Sequence, residues 1–151
     1  MADMSDLVCR VATLRDSAAL MRMMTAFNTN EGIAYDSATA PLDLLLGDAN
    51  LGLVLLFELV GQPAGYAVVT WNYDLEYGGR DAFLTELWIE PAHRGKGHGR
   101  SALAHIENAC REHEAAALHL AVRPDNTGAV KLYESAGYAD WPRRVLSKTL
   151  R

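Results

Sequence analysis

A short loop at residues 94–100 (Arg-Gly-Lys-Gly-His-Gly-Arg) alternates three glycines with basic side chains, between a strand-like run and a run with helical spacing. The loop thus lies at the junction between an apparent strand and an apparent helix. Glycine tolerates positive φ, so successive backbone N–H groups can face one anion, and a helix N-terminus adds partial positive charge. The loop therefore predicts a phosphate-binding turn, with a flexible basic turn as the alternative.

The apolar periodicities place this loop in the middle of a longer series of strands and helices. The expected strands are residues 8–13, 51–60, 64–71, 83–90, 118–122 and 145–148. The expected helices follow a cap at Asp16 or Ser17, run over residues 41–46, begin at Gly99, and extend from a cap at Asn126 through Ala136. A polar loop is expected over residues 72–80. The order β-α-α-β-β-β-α-β-α-β predicts an α/β fold in which helices flank a mixed central β-sheet.

The chain of 151 residues has the length of one domain, and we expect a single domain over residues 1–151. The net charge of −5 argues against a general nucleic-acid partner, although Arg94, Lys96 and Arg100 form a local basic cluster. This cluster favours a small, multiply anionic ligand, and solvated surface charge is the alternative interpretation.

Several other classes of protein are disfavoured. The longest apolar run, residues 51–57, is too short to span a membrane. Two distant cysteines, Cys9 and Cys110, fit a reduced, cytoplasmic setting. The histidines and cysteines follow no recognised ligand spacing, so no metal site is expected.

Two phosphate-binding motifs compete for the glycine loop. A P-loop needs four residues between its first glycine and a Gly-Lys-Ser/Thr ending, which the chain lacks. Gly97, Gly99 and Ala102 fit the G-x-G-x-x-A spacing of a Rossmann fold. In that fold, however, the glycines follow the strand directly, whereas residues 91–94 intervene here, and only one crossover is visible.

Two longer segments carry a family resemblance. Residues 87–99 (Leu-Trp-Ile-Glu-Pro-Ala-His-Arg-Gly-Lys-Gly-His-Gly) resemble the acetyl-CoA signature of the GNAT family of N-acetyltransferases, whose core is Arg/Gln-x-x-Gly-x-Gly/Ala. Residues 126–138 (Asn-Thr-Gly-Ala-Val-Lys-Leu-Tyr-Glu-Ser-Ala-Gly-Tyr) resemble the helix Asn-x(6)-Tyr-x-x-x-Gly-Phe/Tyr of the same family. The order of elements agrees over nearly the whole chain, so the resemblance favours a loop that holds CoA.

The resemblance implies acetyl-CoA as the acyl donor and assigns a role to each segment. The loop would bind the pyrophosphate through its backbone, the preceding strand would pair with the pantetheine arm, and Asn126 would support that arm. The implied cofactor-binding residues are Leu87, Trp88, Ile89, Arg94, Gly95, Lys96, Gly97, His98, Gly99, Arg100 and Asn126. The resemblance gives Tyr133 a place near the sulfur. Taken singly, Asn126 is also a good helix cap and Tyr133 a plausible core aromatic residue, but their joint spacing favours the roles that the resemblance implies.

Glu86 is the candidate general base, because strand alternation predicts that it lies between Leu84 and Trp88 on one face. Apolar neighbours there would raise its pKa toward a useful range. The alternative is a carboxylate paired with a cation such as Arg80. Among diamine acetyltransferases of the family, an acidic pair occupies this strand, and Thr85 stands where the first acid would be. Tyr133 is implied as the acid that protonates the departing thiolate.

The acceptor is expected from the side of the first helices and the hairpin, as the family fold implies. The candidate acceptor-binding residues are Asn28, Glu31 and Tyr73, with Tyr35, Asp74 and Glu76 as further candidates. Carboxylates and tyrosines favour a small cationic amine, with acidic loops as the alternative. A protein N-terminus or lysine, an acyl group larger than acetyl, and a non-catalytic CoA-binding module remain open. A homodimer is expected from the family alone.

Overall fold

Most of the β-prone runs in the sequence become strands of one mixed sheet. The computed structural model describes residues 6–33 and 40–151. Its strands are β1 (Val8–Val11), β2 (Gly52–Leu59), β3 (Gln62–Asp74), β4 (Gly79–Ile89) and β5 (Leu118–Leu120). The strands lie in the sheet in chain order, with antiparallel pairing from β1 to β4 and parallel pairing between β4 and β5. A parallel neighbour requires a crossover, and a helix supplies it here.

Four α-helices accompany the sheet within the described residues. They are α1 (Ser17–Glu31), α2 (Ala40–Gly47), α3 (His98–Glu112) and α4 (Thr127–Ser135). Short 3-10 turns occupy Leu14–Asp16, Leu75–Tyr77 and Pro91–His93. The predicted fold class, a mixed sheet with helices, is confirmed. The chain divides into two compact units, one ending at Ala121 and one from Val122 to Arg151, and a single domain over residues 1–151 stays a prediction.

The ladder sorts the side chains of the first unit onto two faces of the sheet. On one face, residues of β2, β3 and β4 pack with α1 and α2 in a single buried cluster. The buried members of this cluster are Ala12, Leu20, Met23, Met24, Leu42, Val54, Leu56, Tyr66, Val68 and Trp88. On the opposite face the end of α3 meets the sheet, where the His113 ring stacks on Trp71 at 5.3 Å.

The hairpin between β3 and β4 is longer than expected. The predicted polar loop over residues 72–80 is wrong, because β3 continues to Asp74 and β4 begins at Gly79. The guanidinium of Arg80 lies 5.1 Å from the Trp71 ring and donates to the carbonyl oxygen of His113 at 3.2 Å. These contacts support a ladder that continues into residues 72–80, for which polar character alone predicts a loop.

The expected last strand, residues 145–148, is absent, and the predicted order of elements is wrong at this point. The structure assigns no strand to that segment, and both Val145 and Leu146 are 84% exposed. A strand exists only with a ladder partner. The described unit from Val122 to Arg151 contains no other strand, so the alternating sequence has nothing within its unit to pair with.

The ladder leaves no room for a side chain at Gly65, which pairs with Ile89 at the end of β4. A Cβ at this position would overlap the backbone oxygen of Trp88. We expect Gly65→Ala to lower the free energy of unfolding by about 1–3 kcal/mol, the usual cost of overpacking, in chemical denaturation. Gly47→Ala is the control, since a Cβ there meets no described atom within 4 Å. Equal stability of the two variants would contradict the close approach.

Candidate functional site

The open edge of β4 is the main feature of the site. On one side β4 pairs with β3 as far as Ile89, whereas on the other it pairs with β5 only through Ala82, Phe83 and Leu84. From Thr85 onward that second edge has no ladder partner within the described chain. Strand backbone groups require partners, so the edge is suited to an extended ligand that adds hydrogen bonds like another strand. The segment predicted to pair with pantetheine, residues 87–89, lies on this edge.

A β-bulge at Thr85 changes which residues share a face. Val68 pairs with Glu86 and Val69 with Leu84, so Thr85 is an extra residue in β4. Adjacent residues of β3 point to opposite faces, which puts Leu84 and Glu86 on opposite faces as well. The expectation that Leu84 shares a face with Glu86 is therefore wrong, while Trp88 does share it. The bulge turns Glu86 toward the α1 and α2 side.

Glu86 is held by a residue that the sequence analysis did not select. The hydroxyl of Tyr66, a fully buried residue of β3, donates to Oε2 of Glu86 at 2.7 Å. Burial raises the pKa of Glu86 above its ordinary value, and the hydrogen bond from Tyr66 opposes this change to a smaller extent. The suggested pairing with Arg80 is not seen, since Arg80 contacts Trp71 and His113 instead. Glu86 is thus a half-buried carboxyl group without an ion-pair partner in the described chain.

Aromatic side chains surround the face on which Glu86 lies. The ring of Phe27, in α1, meets Tyr66 at 6.5 Å and Trp88 at 6.4 Å between ring centroids, both edge to face. The C-terminal half of α1 therefore covers this part of the sheet. Periodicity places Phe27 on the apolar face of the helix, but only strand register reveals that its neighbours flank Glu86. Tyr66 carries no local signal either, because an aromatic residue in a strand is ordinary.

The predicted acceptor residues fall in different places. Asn28 follows Phe27, is buried, and donates Nδ2 to the carbonyl oxygen of Met24 at 2.8 Å. Glu31 lies one turn after Phe27 on the same helix. Tyr73 is 74% exposed, and its pairing with Arg80 puts it on the face opposite Glu86.

Other proposed acceptor contacts have local roles or lie outside the described chain. Oδ1 of Asp74 accepts from the backbone N–H of Glu76 at 2.9 Å, closing the turn between β3 and β4. Tyr35 lies outside the described residues. The structure thus associates Asn28 and Glu31 with the helix over Glu86, and it separates Tyr73 from that face.

The glycine loop has the backbone conformation that its sequence predicts. Gly95 and Gly97 have φ of +75° and +84°, in the left-handed region that favours glycine. Helix α3 begins immediately afterwards, and its first intrahelical bond runs from the N–H of Ser101 to the oxygen of Gly97. The preceding N–H groups of α3 have no acceptor within the helix, and its first turn contains no acidic residue. Such an end favours an anion, so these residues fit a pyrophosphate group.

Two basic side chains brace the loop against its own backbone. Arg94 donates Nε to the carbonyl oxygen of Ile89 at 2.8 Å, and its guanidinium lies 4.4 Å from the centroid of the Trp88 ring. Lys96 donates Nζ to the carbonyl oxygen of Ala92 at 3.3 Å. Both side chains are thus engaged with carbonyl groups of the chain. Direct cofactor contacts by Arg94 and Lys96 stay predictions.

The second unit contains the other two predicted site residues. Asn126 precedes α4, and its Oδ1 accepts from the N–H of Ala129 at 3.2 Å, so it caps the helix. Tyr133 lies in the last turns of α4, with its ring 5.9 Å from that of Tyr138 in an edge-to-face contact. Gly137, with φ of +96°, ends the helix between them. The alternative interpretation of Asn126 as a cap is correct, and its contact with pantetheine stays a prediction.

Residues 6–33 and 40–151 also bear on metal sites and membrane spans. No group of three or more histidine, cysteine, aspartate or glutamate side chains is arranged to hold a metal ion there. No helix in that part of the chain has the length and hydropathy needed to cross a bilayer.

Comparisons with known proteins point in one direction. The streptothricin acetyltransferase of Streptomyces lavendulae is 34% identical over 82 residues, which are 52% of this chain and 40% of that protein. The [ribosomal protein bS18]-alanine N-acetyltransferase of Escherichia coli (strain K12) is 34% identical over 86 residues, 56% of this chain and 54% of that protein. This chain therefore spans about half the length of these curated relatives, or less.

A solved structure extends the similarity to nearly the whole chain. An integron cassette protein from the mobile metagenome of Cole Harbour Salt Marsh is 29% identical, with a TM-score of 0.84 over 95% of this chain and 90% of that one. The model of one family matches residues 19–138, a range that includes both the open edge of β4 and Tyr133. The chain belongs to the acetyltransferase (GNAT) family.

Proposed function

We propose that this protein is an acetyl-CoA-dependent N-acetyltransferase that acts on a primary amine. The observation that carries the proposal is the position of Glu86, a half-buried carboxyl group on a strand whose free backbone edge leads into the glycine loop. A donor held along that edge would bring its acyl end close to Glu86. Family membership supports the same reaction.

The donor would be held mainly by backbone groups. The N–H groups at the start of α3 suit the pyrophosphate, and the unpaired edge of residues 85–89 suits an amide-containing arm. When bound, acetyl-CoA would supply an activated acetyl group as a thioester. Backbone N–H groups of the same edge are suited to polarising its carbonyl oxygen.

Glu86 would then remove a proton from the acceptor amine. An alkyl amine with a pKa near 10.4 is only about one part in two thousand neutral at pH 7, a deficit of roughly 4–5 kcal/mol. A base of raised pKa removes the proton, directly or through water, and restores the nitrogen lone pair for attack. Burial of Glu86 raises its pKa in the useful direction. Tyr133 would return a proton to the thiolate as the C–S bond breaks.

A small cationic amine is the proposed class of acceptor. The aromatic rings of Phe27, Tyr66 and Trp88 surround the face of Glu86, and an ammonium group is attracted to both a carboxylate and aromatic rings. A protein N-terminus is the second candidate, favoured by the 34% identity to a ribosomal-protein alanine N-acetyltransferase. A cytoplasmic location is part of the proposal.

The reaction is tested by calorimetry with acetyl-CoA and by a thiol assay for CoA release with a panel of acceptors. The panel should contain monoamines, diamines, amino-sugar amines, lysine peptides and peptides with a free N-terminal alanine. We expect binding of acetyl-CoA and turnover with at least one acceptor. A folded protein that does not bind acetyl-CoA would refute the proposal, and binding without turnover on every acceptor would favour a CoA-binding module.

Gly95→Ala tests the phosphate loop, with Gly78→Ala as a matched control. Both glycines have nearly equal positive φ, +75° and +73°, and an added Cβ meets no described atom within 4 Å at either. Alanine in this conformation costs about 1–2 kcal/mol, which each variant either loses in stability or avoids by relaxation of the turn. Only Gly95→Ala should weaken acetyl-CoA binding, by about 5- to 30-fold in calorimetry, because binding must restore the strained loop. Equal affinities in the two variants would remove the loop from the donor site.

Glu86→Gln tests the general base. We expect kcat/KM at neutral pH to fall by about 100-fold or more, and the acidic limb of its pH profile to disappear. Because burial raises the pKa of Glu86, the limb in the unmodified enzyme should lie above the ordinary glutamate range. Glu107→Gln, which removes a carboxylate paired with Arg111 on α3, is the control and should retain the profile. An acidic limb that survives in Glu86→Gln would exclude Glu86 as the base.

Tyr133→Phe tests the general acid. Loss of the hydroxyl should lower kcat by about 100-fold while changing KM for the acceptor little, since only departure of the thiolate is affected. Tyr138→Phe is a close control, because the two rings touch and both lie in the same unit. Steady-state kinetics with a saturating donor provide the measurement. If kcat of Tyr133→Phe equals that of the unmodified enzyme, the thiolate departs without a proton from Tyr133.

A further inference from the structure

The two carboxylate oxygens of Glu86 have different surroundings. Oε2 accepts the hydroxyl proton of Tyr66 at 2.7 Å. Oε1 has no hydrogen-bond partner among the residues that the structure describes, and it is not among the fully buried polar atoms. The side chain is therefore fixed through one oxygen, and the other remains available to a ligand.

Tyr66 is itself held firmly. The residue is fully buried in β3 and belongs to the cluster beneath α1, and its ring is contacted edge to face by Phe27. Val68 pairs with Glu86 and Tyr66 with Trp88, so Tyr66 reaches Glu86 diagonally across the ladder. Without the bulge at Thr85, a regular ladder would turn Glu86 to the other face, away from this hydroxyl.

We propose that Tyr66 is a positioning residue, whose hydroxyl holds Oε2 of Glu86 so that Oε1 is the atom that accepts the proton of the amine. The inference rests on the proposed function, in which Glu86 is the base. In the step, the ammonium group loses one proton to Oε1, either directly or through an intervening water that takes a proton from the ammonium as it gives one to Oε1, and the carboxylate becomes a carboxylic acid. The amine nitrogen regains its lone pair, and Tyr66 keeps its own proton.

The hydrogen bond also sets where the base titrates. A donor to a carboxylate stabilises the charged form more than the neutral form, so Tyr66 lowers the pKa that burial raises. Because the two effects oppose each other, Glu86 can be half-buried and still lose its proton. Removing the hydroxyl leaves burial unopposed, and the carboxyl should then titrate at higher pH.

Other charged or titratable groups on this side of the sheet are occupied elsewhere or lie farther along it. Arg22 of α1 pairs with Glu90 at 2.7 Å, His119 of β5 with Asp81 at 3.0 Å, and Asp43 of α2 accepts from Ser17. Glu31, at the end of α1, is the one acidic residue of that helix. Burial and the hydrogen bond from Tyr66 shift the pKa of Glu86, so a change at Tyr66 should alter the pH profile mainly through Glu86.

The test is the pH profile of kcat/KM for Tyr66→Phe, with Tyr77→Phe as a control that removes a tyrosine hydroxyl from the turn before β4. In Tyr66→Phe the acidic limb should move to higher pH. On the acidic side, kcat/KM should then be about tenfold lower than in the unmodified enzyme, the effect expected from the loss of one charge-assisted hydrogen bond. Tyr77→Phe should leave the limb in place. A lower plateau with an unmoved limb would mean that Tyr66 only packs, and would overturn the inference.

A second substitution should have the opposite sign. Incorporation of 3-fluorotyrosine in place of Tyr66 makes the phenol more acidic and a stronger donor, so the limb should move to lower pH. Shifts of the same sign in the two variants would contradict a hydrogen bond to Glu86. This pair of variants keeps the test decisive if Tyr66→Phe folds poorly.

Carbon NMR separates this inference from the proposed function. With 13C-labelled glutamate, the Glu86 carboxyl signal is identified by its loss in Glu86→Gln and titrated in the absence of substrates. A higher midpoint in Tyr66→Phe supports the contact whether or not the enzyme turns over. If Glu86→Gln retains the acidic limb, the base assignment fails. If instead that limb is lost but Tyr66→Phe leaves the NMR midpoint unchanged, only the role of Tyr66 fails.

Discussion

The structure depends on the asymmetric pairing of β4. One edge of this strand is hydrogen-bonded to β3 as far as Ile89, while the other loses its partner after Leu84. A central strand normally satisfies both edges within the sheet, and an interrupted edge leaves backbone donors and acceptors that need water or a ligand. The same strand carries Glu86 and leads through Pro91–His93 to the glycine loop. Separation of β4 from β5 thus creates a long polar edge between a carboxyl group and a helix N-terminus.

Local features of this arrangement are visible in the sequence. Gly95 and Gly97 indicate a backbone with positive φ, the spacing from Gly99 predicts α3, and Asn126 is recognisable as a helix cap. Glu86 is noticeable because a carboxylate interrupts an apolar strand. In each case the signal lies within a few residues and reflects backbone preference or periodicity, so one sequence is sufficient.

Features that depend on long-range pairing are not visible in the same way. The bulge at Thr85 leaves no glycine or proline as a marker, yet it reverses the relation between Leu84 and Glu86. The contact between Tyr66 and Glu86 joins residues twenty positions apart and follows from the exact register. Residues 145–148 show the reverse error, since an alternating pattern predicts a strand but cannot supply the partner that a strand requires.

The Trp88 ring has a consequence for how the two substrates affect each other's affinity. Arg94 of the glycine loop lies over this ring, and Phe27 of α1 touches it edge to face. The proposed donor loop and the helix over the proposed acceptor side therefore both contact the same indole ring. If donor binding displaces the Trp88 ring and thereby changes the affinity of the protein for the acceptor, thermodynamic reciprocity requires the acceptor to change the affinity for the donor by the same factor. A single indole ring would then couple the binding of the two substrates without any movement of a domain.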